Sequence, residues 1–237
     1  DTPVPSQPLT LEGHSLADTV ALPAHVTVRE IMTRPARVGA ARLAHMMPTA
    51  EYLGLLSDLG LGRATDTGSP RESQGTLRVG SSPLAQAQLG MAEASGEVEA
   101  TLPQLAQAYL ALAGDGRMRR MYLNPYRRTQ PSPRAFTRET VHALRDMLAA
   151  PGAADTANPG ITESRIARQS ASITTPTPWG ETRNTSVVVA FMPATSPSYL
   201  VAAMVERRAV EPGLTDNAAA PVVGEIMTAL RRQGGQQ

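Results

Sequence analysis

The side chains of this sequence that could act as nucleophiles, bases or metal ligands do not lie at spacings that assemble a site. Ser170 and Ser172 have no histidine near them in the sequence, and a serine hydroxyl needs a positioned base before it can attack. Both are interpreted as ordinary strand residues. The histidines have no pair spacing suited to a metal and are expected on the surface or in loops. They are His14, His25, His45 and His142. These residues predict neither a metal nor a cofactor.

The residue types that are missing exclude several classes of enzyme. The chain contains no lysine and no cysteine. A Walker-type phosphate loop, a Schiff-base enzyme and a Ser-Lys acyl enzyme each need an amine that can lose its proton near neutral pH, and a guanidinium does not do so. Without cysteine there are no disulfides, zinc–thiolate sites, iron–sulfur clusters or thiol nucleophiles. Within these residues such chemistry is excluded whatever the fold.

A cluster of basic and aromatic residues is a candidate for binding. It comprises Arg117, Arg119, Arg120, Arg127, Arg128, Tyr122 and Tyr126. This composition could bind phosphate or RNA, but the chain's net charge of +1 provides no long-range attraction for a polyanion, so a solvated loop is favoured. Arg119 and Arg120 could equally contact an acidic partner. The acidic residues Glu93, Glu97 and Glu99 lie where no element can be predicted, and no glycosidase role is assigned to them.

Capping residues and apolar periodicity predict the helices of the first two thirds. Residues 1–26 are proline-rich without a clear period and predict a loop, and residues 63–100 have no reliable period. Thr27 is a candidate cap for the first helix, and Thr101 for the most apolar one. The predicted helices cover 28–32, 38–47, 49 to 60 or 62, 101–113 and 137–150.

The last third changes to strands followed by a helix. Residues 161–173 predict a strand. The apolar stretch 185–205 is interrupted by Pro193 and Pro197, so it predicts a hairpin of strands 186–192 and 199–205 rather than a membrane span. A final helix over 217–232 has apolar residues at helical spacing. They are Val222, Val223, Ile226, Met227 and Leu230. The pattern predicts three adjacent antiparallel strands closed by this helix.

Seven segments occur in an order and spacing that carry a family resemblance. They are Leu11-Glu-Gly-His14 with Asp18, residues 26–31 leading into 38–44, 59–62, 101–109, 165–167, 187–193 and 220–227. Together they resemble the transpeptidase domain of class B penicillin-binding proteins, the division-specific peptidoglycan transpeptidases of Gram-negative bacteria in particular. The resemblance covers nearly the whole chain.

The resemblance implies three catalytic motifs, and none survives here. In the family, Ser-x-x-Lys supplies the nucleophile and its base, Ser-x-Asn relays protons, and Lys-Thr-Gly positions the substrate carboxylate. In family register the first lies upstream of Asp1. The second falls on Pro35-Ala36-Arg37 and the third on Gln169-Ser170-Ala171, which follow Arg168 and precede Ser172. The resemblance therefore predicts a vestigial cleft at these positions, crowded by Arg37 and Arg168, and no catalytic residue.

The expected fold is α/β of the α+β type, penicillin-binding and β-lactamase-like, and lacking the N-terminal part of the full transpeptidase fold. It is predicted as a single domain over 1–237. Its parts are an irregular lead-in over 1–26, a mainly helical lobe over 27–150, and antiparallel strands with a C-terminal helix packed on them over 151–237.

The expected function is that of a catalytically inactive scaffold or regulator in peptidoglycan synthesis or cell division. The alternatives are a truncated fragment of an active D,D-transpeptidase that binds penicillin, and a nucleic-acid-binding module using the arginine cluster. The expected partners are other cell-wall or division proteins, with a peptidoglycan stem peptide as a candidate ligand and no nucleic acid. The expected location is the periplasm, with any membrane anchor upstream of Asp1.

Overall fold

The computed structural model describes residues 2–34, 36–78, 82–91, 98–124, 126, 133–149, 166–177, 179–208 and 217–234. The strands are β1 Pro3–Pro5, β2 Leu9–Leu11, β3 His14–Leu16, β4 His25–Thr27, β5 Thr76–Leu77, β6 Val98–Glu99, β7 Ala167–Pro176, β8 Thr182–Met192 and β9 Tyr199–Arg208. The helices are α1 Val28–Thr33, α2 Arg37–His45, α3 Thr49–Asp58, α4 Pro83–Gly90, α5 Leu102–Ala113, α6 Arg138–Leu148 and α7 Ala219–Gly234.

The chain divides into two compact units. The first comprises residues 1–108 and 118–135, and the second comprises 109–117 and 136–237. Helix α5 therefore begins in the first unit and ends in the second. All the strand pairs described are antiparallel. The predicted fold class, helices combined with antiparallel strands, is confirmed.

The first unit begins with short strands, so the expectation of a loop over residues 1–26 is wrong. Strand β1 pairs with β4 and β2 pairs with β3. Val4 lies opposite Val26, and both are buried with Ala36 in one apolar cluster. Strands of three residues show no readable alternation, and the β1–β4 pair is joined by a long connection. Burial of these few aliphatic side chains, rather than local propensity, holds the pairs together.

Helix α1 begins where its capping residue predicts. Thr27 Oγ1 accepts a hydrogen bond from the Glu30 amide at 3.2 Å, and Glu30 Oε2 accepts one from the Thr27 amide at 2.8 Å. Each residue thus satisfies a backbone donor that the first turn of a helix leaves unpaired. The same arrangement begins α5, where Thr101 and Gln104 form reciprocal bonds of 2.8 and 3.3 Å.

Helices α2 and α4 pack closely because their contact is built from small residues. A Cβ atom added to Gly90 would lie 2.7 Å from the Ala44 Cβ, so only glycine fits there. Ala41 and Ala87 are both fully buried at this contact. Helix α4 lies inside 63–100, where no period is readable.

The second unit is a three-stranded sheet in the order β7-β8-β9. The predicted hairpin is confirmed as β8 and β9, with Phe191 opposite Leu200. Strand β7 pairs along β8 on the other side, from Ala167 opposite Phe191 to Pro176 opposite Thr182. The segment 161–165, predicted as the start of this strand, lies outside the described residues.

Helix α7 packs on one face of this sheet. Val223 and Met227 are 4% and 2% exposed, in one cluster with Val188 of β8. Helical spacing also predicts Val222 and Ile226 in this core, but they are 40% and 41% exposed. A helix lying flat on a sheet buries one narrow stripe, and these two residues fall outside it.

Candidate functional site

The position of the Ser-x-Asn motif lies at the start of α2. Pro35 is outside the described residues, Ala36 is 2% exposed, and Arg37 is the first residue of the helix. Ala36 has no side chain that can cap the helix. Asp18 does so from another segment, because its Oδ1 accepts from the amides of Arg37 at 2.6 Å and Val38 at 3.1 Å. Ala36, the middle residue of this motif, is thus buried in an apolar cluster with Val4 and Val26.

The Arg37 side chain is placed where a cation is electrostatically unfavourable. The N-terminus of a helix carries a partial positive charge that repels a guanidinium. The Asp18 carboxylate offsets this charge, and Arg37 Nε donates to the Met91 carbonyl at 3.5 Å. Arg37 therefore has partners inside the first unit.

The position of the Lys-Thr-Gly motif lies on β7, in regular register with β8. Gln169 lies opposite Val189, Ser170 opposite Val188 and Ala171 opposite Val187. Ala171 is exposed, and Gln169 and Ser170 are half-buried. Among the described strands β7 pairs only with β8, so its outer edge has no strand partner there.

Arg168 and Ser172 bracket these residues on the same strand. Arg168 lies opposite Ala190 and Ser172 opposite Ser186. Burial lowers the pKa of Arg168, since desolvation disfavours the charged form. A guanidinium nevertheless remains protonated and cannot serve as a base.

The residues at the two motif positions differ from those that the family resemblance implies. Glutamine at 169 is neutral, where the family has a cation that attracts the substrate carboxylate. Alanine at 171 puts a Cβ where the family has glycine, whose missing side chain lets a ligand approach the strand closely. Arginine at 37 replaces an amide that both donates and accepts hydrogen bonds. Arg37 belongs to the first unit and β7 to the second.

The other candidate residues fall into no second site. All four histidines are exposed, and the described residues contain no group of three or more histidine, aspartate or glutamate side chains that could hold a metal. Glu93 and Glu97 lie outside the described residues, and Glu99 Oε2 accepts from Thr76 Oγ1 at 3.3 Å. A cavity of about 350 Å³ on α7 is lined by Gly224, Glu225, Thr228, Ala229 and Arg232. It contains none of the motif positions.

The arginine cluster is partly neutralised by neighbouring carboxylates. Arg120 Nη1 lies 3.2 Å from Asp66 Oδ2, and Arg117 Nε lies 3.6 Å from Asp115 Oδ2. These pairs are half-exposed and add little stability, but they reduce the local positive charge. Arg127 and Arg128 lie outside the described residues.

A buried arginine that the sequence did not predict as a structural residue joins three segments of the second unit. Arg145 of α6 is 8% exposed. Its Nε and Nη2 donate to the carbonyls of Leu112 and Ala113 at 2.6 Å each, and Nη2 also bonds the Gly114 carbonyl. Nη1 reaches the Thr195 carbonyl at 3.3 Å. An arginine in an amphipathic helix is normally read as solvent-facing, so only its position between Val141 and Leu148 on the buried stripe could have indicated this role.

Comparison with known proteins identifies the family. The profile of the penicillin-binding protein transpeptidase domain matches residues 3–228. The chain therefore belongs to the penicillin-binding protein transpeptidase domain family, and the predicted resemblance to the class B domains is confirmed.

The curated relatives include the probable peptidoglycan D,D-transpeptidase PenA of Neisseria gonorrhoeae. It is 27% identical over 157 residues, which cover 64% of this chain and 26% of PenA. The Neisseria meningitidis PenA matches to the same extent. The match thus spans about a quarter of the length of these relatives.

Solved structures share the fold over almost the whole chain. The apo transpeptidase domain of Burkholderia pseudomallei penicillin-binding protein 3 superposes with a TM-score of 0.80 at 25% identity, covering 97% of this chain and 72% of that one. Penicillin-binding protein 3 of Mycobacterium tuberculosis gives 0.79 at 21% identity, covering 99% and 57%. No helix among the described residues is long and apolar enough to cross a membrane.

Proposed function

We propose that this chain is a catalytically inactive transpeptidase domain that acts as a scaffold or regulator of peptidoglycan synthesis or cell division in the periplasm. The observation that carries the proposal is the absence of lysine. Acylation in the family needs a lysine beside the serine, and binding of the substrate carboxylate uses a second lysine on the strand. Neither occurs in these residues, whatever the alignment.

The proposal is supported by the backbone at the motif positions, which forms a regular helix and a regular strand although the motif residues are different. Strand β7 keeps an unbroken register with β8 through Gln169 and Ala171, and α2 keeps a capped N-terminus through Asp18. The backbone at Arg37 and along β7 is therefore hydrogen-bonded as in a regular helix and strand, whatever side chains it carries. Division or cell-wall proteins are the partners proposed.

Fluorescent penicillin labelling tests the proposal directly. The purified chain is incubated with the label, boiled in detergent and run on a gel, beside penicillin-binding protein 3 of Mycobacterium tuberculosis, whose structure has been solved with ampicillin. We expect an adduct on the control protein and none on this chain. A covalent adduct on this chain would refute the proposal. The single variants Ser170→Ala and Ser172→Ala would then show whether either hydroxyl reacts.

The second candidate is a portion of an active D,D-transpeptidase. The observation that favours it is the similarity to proteins named probable peptidoglycan D,D-transpeptidase. The coding sequence upstream of Asp1 discriminates between the two. A Ser-x-x-Lys segment there favours this candidate, although Gln169 and Ala171 would still predict weak acylation, because the cation and the close approach to the strand are both altered.

A further inference from the structure

The turn between β7 and β8 presents the chain's single tryptophan to solvent. Trp179 is 87% exposed. An indole combines a large apolar face with one N–H donor, and it gains free energy when a flat apolar surface covers that face. At this position the described residues leave the ring available to a ligand.

The turn that carries this ring is tightly hydrogen-bonded. The Thr177 amide donates to the Glu181 carbonyl at 2.7 Å, and Thr177 Oγ1 donates to the same oxygen at 2.9 Å. In return the Glu181 amide donates to Thr177 Oγ1 at 3.2 Å, and the Gly180 amide donates to the Thr177 carbonyl at 3.1 Å. Gly180 has a φ of +79°, which glycine adopts without strain. Hydrogen bonds thus join Thr177, Gly180 and Glu181 on both sides of the ring, and such preorganisation lowers the entropy lost on binding.

Next to this turn, two ion pairs form a ladder across the end of the sheet. Arg183 Nη1 lies 2.9 Å from Glu206 Oε1, and Arg208 Nη2 lies 2.9 Å from Glu181 Oε1. The register places Arg183 directly opposite Arg208, so each needs its own carboxylate to offset their repulsion. The four charges sum to zero, and a polyanion or an acidic lipid surface gains little from them.

These features fit a neutral ligand that is both flat and rich in hydroxyl groups. The apolar C–H face of a sugar ring can stack on an indole, and its hydroxyls can exchange bonds with a guanidinium that donates and a carboxylate that accepts. Thr175 lies opposite Arg183 and adds an exposed hydroxyl.

We propose that the tip of the β7–β8 hairpin is a binding site for a neutral glycan, which stacks on Trp179 and bonds to the Arg183–Glu206 and Arg208–Glu181 pairs. The class of ligand, a neutral glycan, follows from the exposed indole and the two ion pairs beside it. The choice of an N-acetylglucosamine oligomer as probe rests on the proposed role in peptidoglycan synthesis.

The single tryptophan makes the test direct, because all indole emission of the chain comes from this tip. We expect the N-acetylglucosamine tetramer to shift the emission to shorter wavelength and reduce quenching by acrylamide, with a dissociation constant of about 1 mM or tighter. By calorimetry, Trp179→Ala should abolish binding and Trp179→Tyr should weaken it by about tenfold or less. Tyr126→Ala is the matched control, since Tyr126 is 92% exposed in the first unit, and it should bind like the unchanged chain.

Three results would overturn this inference. They are an unchanged emission spectrum on titration with the tetramer, a shift produced by vesicles of phosphatidylcholine and phosphatidylglycerol but not by the tetramer, and full binding by Trp179→Ala. None of them bears on penicillin labelling, so failure of the glycan site and failure of the proposed inactivity are distinguishable.

Discussion

Replacing Arg145 with methionine is expected to destabilise the second unit strongly. The guanidinium bonds the carbonyls of Leu112, Ala113 and Gly114, at the end of α5, and that of Thr195 in the loop between β8 and β9. The last carbonyls of a helix have no partner within the helix and carry its partial negative charge. One side chain therefore ties three elements together and neutralises a helix end.

The magnitude follows from what methionine leaves unpaired. A hydrogen bond from a charged donor contributes about 1.5–3 kcal/mol, and bonds that share one donor group add less than their sum. Methionine keeps most of the apolar contact of a side chain that is 8% exposed, so the loss comes from the carbonyls alone. We expect about 3–5 kcal/mol for Arg145→Met. Arg145→Lys keeps the charge but not the fork of donors, and should lose about 1–3 kcal/mol.

Urea unfolding followed by circular dichroism measures the loss, and hydrogen exchange of the α6 amides assigns it to the second unit. Arg138→Met is the matched control, because Arg138 is an exposed arginine in the first turn of the same helix. It should change stability by no more than about 0.5 kcal/mol. Equal losses for Arg145→Met and Arg138→Met would refute the role assigned to Arg145.

Hydrogen bonds lower the pKa of Glu72 from 4.5 to about 2, and the bond from the Thr67 hydroxyl is the largest cause. The ionised Glu72 carboxylate therefore stabilises the fold above pH 4.5, and this stabilisation is lost as the pH falls through about 2. Urea midpoints between pH 7 and 2 should show less acid sensitivity for Glu72→Gln, and an unchanged profile would contradict this. Gln86 is 2% exposed and bonds three groups, so Gln86→Leu should lose about 2–3 kcal/mol in the same assay, whereas a loss below about 0.5 kcal/mol would contradict its role. Calorimetric titration with a stem pentapeptide should detect no binding, because the neutral Gln169 does not attract the peptide carboxylate, and a micromolar affinity that Arg168→Ala abolishes would contradict this.

Local signals in the sequence predicted the elements whose ends and faces are set by neighbouring residues. Thr27 and Glu30 sit three positions apart, which is the spacing of a capping box, and α1 begins there. The run of β-branched residues before Pro193 predicts β8, since such side chains favour strands. Helix α4 was not predicted, because no apolar period accompanies Ser82 and Pro83, although serine caps a helix and proline suits its first turn.

Tertiary contacts that no local pattern records account for the elements and site residues that were missed. Asp18 caps a helix that begins 19 residues further along the chain, and its carboxylate gives no sign of this in its own segment. Arg145 is buried because the end of α5 offers carbonyls to it, and an arginine carries no mark of such a partner in the sequence. Val222 and Ile226 have the apolar character of a core face but lie beside the stripe that contacts the sheet.

The same sheet explains how the residues at the motif positions of β7 can vary while the fold persists. Strand β7 is held by its backbone ladder to β8, whose Val188 packs under Val223 and Met227 of α7. Gln169 and Ala171 lie within that ladder, and its main-chain bonds form with glutamine or alanine there as well as with lysine or glycine. Alanine also costs less backbone entropy than glycine in a strand. Replacement of the motif residues at these positions therefore carries little penalty in stability.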